Sequence, residues 1–136
     1  MENKSIFLGT NIVADMIDSH REHHENSILL LRMLIIEAYK IVISEDMLST
    51  LYSISKDKKA TLEFFENIIY IDWHIASYGM EVIREATHLS LSKKIDLEDA
   101  LQCLCAKKEH CTMIVTEDKQ FVDCGINITD YKRFLK

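Results

Sequence analysis

Two short segments of this chain concentrate carboxylates. Asp96-Leu97-Glu98-Asp99 opens a helical pattern, and Thr116-Glu117-Asp118 follows an apolar run. Oxygen ligands gathered in this way suit Mg²⁺ or Mn²⁺, which keep several waters and can present one to a phosphodiester. A third polar segment, Gly9-Thr10-Asn11, follows the first apolar run. Each piece also has an ordinary reading. Asp96 is a good helix N-cap, and Asp99 three residues on favours the helix dipole. Asp118 suits an Asx-turn, and Thr10 or Asn11 suits a cap. Their common placement is what makes them candidates, because ligands of an open parallel sheet bind beyond the carboxyl ends of its strands.

The elements that must position them are legible as alternating patterns. Five apolar runs have the length and β-branched character of buried strands: Ser5–Leu8, Lys40–Ile43, Ile68–Ile71, Thr112–Val115 and Ile126–Thr129. Runs without in–out alternation suit a parallel sheet covered on both faces. Between them lie helical stripes: Ile12, Val13, Met16 and Ile17; Met47, Leu48, Leu51 and Tyr52; and Leu97, Ala100, Leu101, Leu104 and Cys105. Glu22–Tyr39 and Trp73–Ser90 read as longer helices and Asp57–Asn67 as a shorter one. The expectation is an α/β domain with right-handed crossovers. Ile28–Ile36 is apolar nearly all round, so it is either deeply buried or half of a subunit interface.

Length and charge narrow the classes. The 136 residues fit one domain, and 48% hydrophobic against 28% charged residues is the balance of a chain that buries a core. A net charge of −6 argues against binding nucleic acid through overall charge, though a locally basic groove remains compatible with it. With no proline and three glycines, collagen-like and linker-rich readings fall away. No export or spanning segment is expected, which points to the cytoplasm. The cysteines Cys103, Cys105, Cys111 and Cys124 then read as free buried thiols, since a Cys-x-Cys pair on a helix makes poor joint zinc ligands.

In order and content, these segments resemble the PIN-domain ribonucleases, in particular the VapC-type toxins of toxin–antitoxin pairs. That family opens with an apolar strand ending in Asp-Thr-Asn, and here Ile6-Phe7-Leu8-Gly9-Thr10-Asn11 stands in its place. Its acid-led central helix corresponds to Asp96-Leu97-Glu98-Asp99-Ala100-Leu101-Gln102. Its closing Thr-Arg-Asp strand end, with a downstream Phe, corresponds to Ile114-Val115-Thr116-Glu117-Asp118-Lys119-Gln120-Phe121. The resemblance covers essentially the whole chain. It implies a PIN-like three-layer sandwich over residues 1–136, with a central, mostly parallel sheet of four to five strands flanked by helices. It also implies metal-dependent hydrolysis of RNA, with Asp99, Asp118 and Asp96 as catalytic and metal-site residues and Asn11 and Thr116 as polar supports. Mg²⁺ or Mn²⁺, a cognate antitoxin, and a homodimer built through the N-terminal helices come with it.

Two departures stand out. The family's first metal-site Asp falls on Gly9, and its acid after the second strand falls on Thr50, with Glu45 one turn earlier. Losing a metal-site carboxylate costs at least the 10–100-fold typical of changes one shell further out. The resemblance therefore implies a weakened or inactive ribonuclease, whether natural or disabled. The competing reading is that glycine serves a tight strand-to-helix turn. Two other classes remain in play: a non-catalytic PIN-fold module that binds antitoxin or RNA, and a small flavodoxin-like signalling domain. Against the latter, the first strand lacks paired terminal acids. His20 and His24 could share a metal on a helix face, but a solvated helix start explains them as well. Lysines 56, 58, 59, 93, 94, 107 and 108 read as solvated faces, some of which could flank the acidic pocket.

Overall fold

The computed structural model describes residues 4–118 and 124–136. Strand β1 (Ser5–Leu8) leads through Gly9 into α1 (Thr10–Ile17), then α2 (His24–Ile36) and β2 (Lys40–Ser44). Helices α3 (Asp46–Ile54) and α4 (Lys58–Phe64) follow. A π-helical turn, Phe65–Ile69, runs into α5 (Tyr70–Asp72) and β3 (His74–Ala76). The chain continues through α6 (Gly79–Lys93), α7 (Leu97–Lys108), β4 (Met113–Val115), β5 (Asn127–Thr129) and α8 (Tyr131–Phe134).

The five strands form one wholly parallel sheet in the order β3-β2-β1-β4-β5, flanked by helices, as expected for a PIN-like fold. Strand β1 lies at the centre, in register with β2 through Ile6–Ile41 and with β4 through Phe7–Ile114. All four residues of β1 are buried, which is why its run is continuously apolar. Around it, Ile12, Val13, Leu30, Leu34, Met47, Leu51 and Ile69 are enclosed in the main core. A smaller cluster of Val82, Ala86, Ala100 and Leu104 joins α6 to α7.

Three expectations need correction. Ile68–Ile71 is not a strand, because Thr61, Phe65 and Ile69 are buried at successive i, i+4 positions and carry the helical path through the π turn. The third strand is His74–Ala76, so Trp73–Ser90 is not one helix. Gly79, at φ 76°, takes a left-handed conformation that suits glycine and starts α6 afresh. The thiols are not all free either: Cys103 on α7 is joined to Cys124 ahead of β5, with Cα atoms 6.1 Å apart. Positions i and i+2 diverge on a helix, so Cys103 reaches the segment entering β5 while Cys105 stays in the core. Cys105 and Cys111 remain as buried thiols, each pushed up to about 12 by burial.

Helix α2 divides its apolar surface. Leu30 and Leu34 are fully buried, whereas Leu29, Ile35 and Ile36 are exposed, Ile36 by 81%. Among the described residues no helix is long and apolar enough to cross a membrane.

Candidate active site

The carboxyl ends of β1 and β4 and the start of α7 meet at one edge of the sheet. The backbone N–H of Gly9 donates to the Val115 carbonyl at 2.9 Å, locking the exits of β1 and β4 together. Helix α7 is tied to the same edge by Gln102, almost fully buried, whose Nε2 donates to Thr10 Oγ1 at 3.0 Å and to Glu98 Oε1 at 3.5 Å.

Asp96 is the N-cap of α7, its Oδ1 accepting from the Asp99 backbone N–H at 3.1 Å. One of its oxygens is thus engaged in capping. Asp99, in the first turn, faces the Asp118 carboxylate from the β4 exit. Burial, then the charges of Asp118 and Asp96, push Asp99 up to about 6. Thr116 Oγ1 accepts from the Asp118 backbone N–H at 3.1 Å and so shapes the turn that presents this carboxylate. Asn11 is directed elsewhere, its Oδ1 accepting from Arg21 Nη2 at 3.5 Å. Lys119, Gln120 and Phe121 lie outside the described residues.

Gly9 has φ −68° and ψ 159°, extended backbone that any residue adopts, so the tight-turn reading fails. It is also the N-cap of α1 and supplies no side-chain hydrogen bond. A Cβ there would lie 3.3 Å from the Val115 carbonyl oxygen and 3.6 Å from Thr116 Oγ1. The fit is close, and a shift of a few tenths of an ångström in the Val115 carbonyl opens it.

One acid of this edge was not expected. Glu98 is shifted upward by burial and then by the charges of Asp46 and Asp96, and Asp46 also hydrogen-bonds Tyr78. The Tyr78 hydroxyl also lies 3.2 Å from the Oγ of buried Ser44. The segment after β2 therefore contributes Asp46, in the first turn of α3. Thr50 is one turn on, its Oγ1 donating back to the Asp46 carbonyl at 3.4 Å. In the sequence Asp46 was masked by its aptness as a helix-start acid.

Among the described residues no group of three or more His, Cys, Asp or Glu side chains converges as a metal cage. Two neighbouring carboxylates, one of them held partly buried beside the other's charge, nonetheless suit an ion that keeps most of its water, the habit of Mg²⁺. The histidines form no cage. His20 lies outside α2 beside Asp18, and His24 Nδ1 lies 2.7 Å from the Asp15 carbonyl. Of the candidate basic residues, Lys58 Nζ closes the end of α3 by donating to the carbonyls of Tyr52 and Ser55. Lys108 Nζ donates to the Ser77 carbonyl.

Comparison with known proteins bears on the family and the fold. The sequence profile of the PIN domain matches residues 5–120. The chain is 31% identical to "Ribonuclease VapC1" of Aquifex aeolicus (strain VF5), over 98% of this chain and 95% of that protein. Among solved structures, Mycobacterium tuberculosis VapC20, described as a sarcin–ricin loop cleaving toxin, superposes with a TM-score of 0.71 at 14% identity, covering 89% of this chain and 95% of the other. The VapBC2 complex of Rickettsia felis, bound to a DNA fragment from its promoter, gives 0.67 at 23%, covering 93% and 98%. At these identities the solved structures speak for the fold. With the profile match over residues 5–120 and a relative 31% identical along nearly its whole length, this chain belongs to the PIN-domain family.

Proposed function

We propose that residues 1–136 act as one domain, a VapC-type ribonuclease of a toxin–antitoxin pair, whose hydrolytic site is weakened because position 9 carries no carboxylate. The observation that carries this reading is the Asp99–Asp118 pair at the carboxyl edge of the sheet, where burial and mutual repulsion hold Asp99 at about 6. Side chains kept in so unfavourable an arrangement are better explained by a ligand than by folding.

Asp99 and Asp118 would hold Mg²⁺ or Mn²⁺, with Asp96 assisting through its uncapped oxygen. Such an ion supplies positive charge to a phosphodiester and acidifies water beside it. The chain's own residues do the positioning. Asp96 fixes the first turn of α7, Gln102 ties that helix to Thr10, and Thr116 fixes the Asp118 backbone. Asn11 would support the site through the Arg21 contact, by holding the start of α1. Glu98 and Asp46 extend the negative rim. RNA is the substrate, a cognate antitoxin the protein partner, and the cytoplasm the place of action. The exposed Leu29, Ile35 and Ile36 on α2 support a homodimer through the N-terminal helices.

The ordinary backbone at Gly9 also favours a second reading, a PIN-fold module that keeps antitoxin or RNA binding without cleavage, since nothing in the turn requires glycine. One experiment separates the two: RNA cleavage by this chain beside Gly9→Asp, each with Mg²⁺, Mn²⁺ or excess chelator. Metal-dependent cleavage by Gly9→Asp, abolished by adding Asp99→Ala, supports the ribonuclease reading. If neither form cuts RNA or takes up a divalent ion, only the binding module remains.

A further inference from the structure

A cavity of about 540 Å³ opens at the exits of β4 and β5, next to the carboxylate pair. Its lining brings Thr116, Glu117, Asp118 and Asp130 together with Lys132, Arg133 and Lys136. Three cations at one cavity stand out in a chain of net charge −6. Two of the lining acids are already engaged. Glu117 Oε1 accepts from the Tyr131 backbone N–H at 2.9 Å, and Asp130 Oδ1 accepts from the Arg133 backbone N–H at 2.9 Å. Both serve to seat α8. The cations are not so engaged: none of the ion pairs among the described residues involves Lys132, Arg133 or Lys136. Arg133 makes one long bond, from Nη1 to the Ile128 carbonyl at 3.4 Å, which steadies the guanidinium and leaves its other donors available.

We propose that Lys132, Arg133 and Lys136 hold backbone phosphates of the RNA strand, directing it from Asp99 and Asp118 outward over the end of β5. The proposal deepens the ribonuclease reading and rests on it for the nature of the ligand. The chemistry is that of phosphate contacts, which position a strand without reading its sequence. A carboxylate cluster repels a polyanion, so a substrate strand needs cations close to, but outside, the site that cuts it. This cavity places them on the β5 side of Asp118. The short helix α8, seated through Tyr131 and Asp130, carries Lys132 and Arg133, and Lys136 follows just beyond its end.

The test is binding of a short labelled single-stranded RNA in excess chelator across a range of salt, so that neither metal nor cleavage enters. The triple variant Lys132→Ala, Arg133→Ala, Lys136→Ala should bind at least about tenfold more weakly. Its plot of log affinity against log salt should flatten by about 2, the release expected for three single-strand phosphate contacts. A Lys132→Arg, Lys136→Arg variant, which preserves charge, should bind like the parent. Equal affinity and slope in the triple variant overturn the proposal, as does an absence of RNA binding by the parent chain. The companion experiment keeps the two readings apart by placing the triple substitution in the Gly9→Asp background. Cleavage with unchanged KM there overturns the phosphate contacts and leaves the ribonuclease standing. Weakened RNA binding without any cleavage by Gly9→Asp keeps the contacts and removes the ribonuclease.

Discussion

Replacing Asp99 by asparagine should make the metal-free protein more stable while harming its proposed site. Asp99 is pushed from 3.8 up to about 6 by burial, Asp118 and Asp96. In full, that difference corresponds to roughly 3 kcal/mol between its two protonation states. Asp118 and Asp96 are exposed, so solvent screening reduces it to about 1 kcal/mol of destabilisation at neutral pH. The folded form binds the proton more tightly than the unfolded chain does. The penalty is therefore fully present above pH 6 and fades as the pH falls toward 4. Asp99→Asn keeps the size of the side chain and the backbone N–H that Asp96 caps. In excess chelator at pH 7.5 it should melt about 4 °C higher than the parent, with the gap closing near pH 4. Thermal unfolding of both proteins from pH 4 to 8 measures this directly. Added Mg²⁺ should then stabilise the parent more than the variant. A variant less stable than the parent at pH 7.5 in chelator, or a gap that does not change with pH, would refute the argument that these carboxylates repel one another.

Two further outcomes test the frame around the site. Tyr131 donates from its hydroxyl to buried Asp15 Oδ2 at 2.7 Å, and Arg21 Nε donates to the other oxygen at 2.7 Å. Tyr131→Phe should cost about 1.5–3 kcal/mol in urea unfolding, the range for a lost hydrogen bond to a charged group. Cys103→Ser removes a cross-link spanning 21 residues and should cost about 3 kcal/mol in the oxidised protein. The same substitution should cost far less when both proteins are compared in excess reductant.

The strands that were legible in the sequence are those enclosed on both faces. Ile6-Phe7-Leu8 and Ile41-Val42-Ile43 are continuous apolar runs because every position meets the core. The edge strand His74-Ile75-Ala76 carries one β-branched residue and is held by β2 alone, so it leaves almost no pattern of its own. Ile68–Ile71 carried a stronger strand pattern but was claimed by the helix preceding it, whose i, i+4 burial of Thr61, Phe65 and Ile69 was equally present in the sequence. At the candidate site, Asp99 and Asp118 were singled out because they stand in recognisable segments, and the fold brings them to one edge of the sheet. Asp46 was not, since a helix-start acid looks the same whether or not another carboxylate approaches it from α7. Lys132, Arg133 and Lys136 were overlooked for a similar reason: a few cations on and just after a four-residue helix look like solvated surface until the strand beside them is in place.

The central position of β1 has a consequence for how the chain is made. Once β1 has been made, it finds β2 within some thirty-five residues, but its other edge stays open until β4 arrives, more than a hundred residues later. For most of synthesis the nascent chain thus carries an unpaired apolar strand in need of protection. The carboxylate pair is likewise absent until Asp118 has emerged, because Asp99 has nothing to face before then. The bond from Asp15 to Tyr131 closes later still, across 116 residues. A half-made chain therefore exposes an open apolar edge and lacks the carboxylate pair, and both are completed by the same late segment.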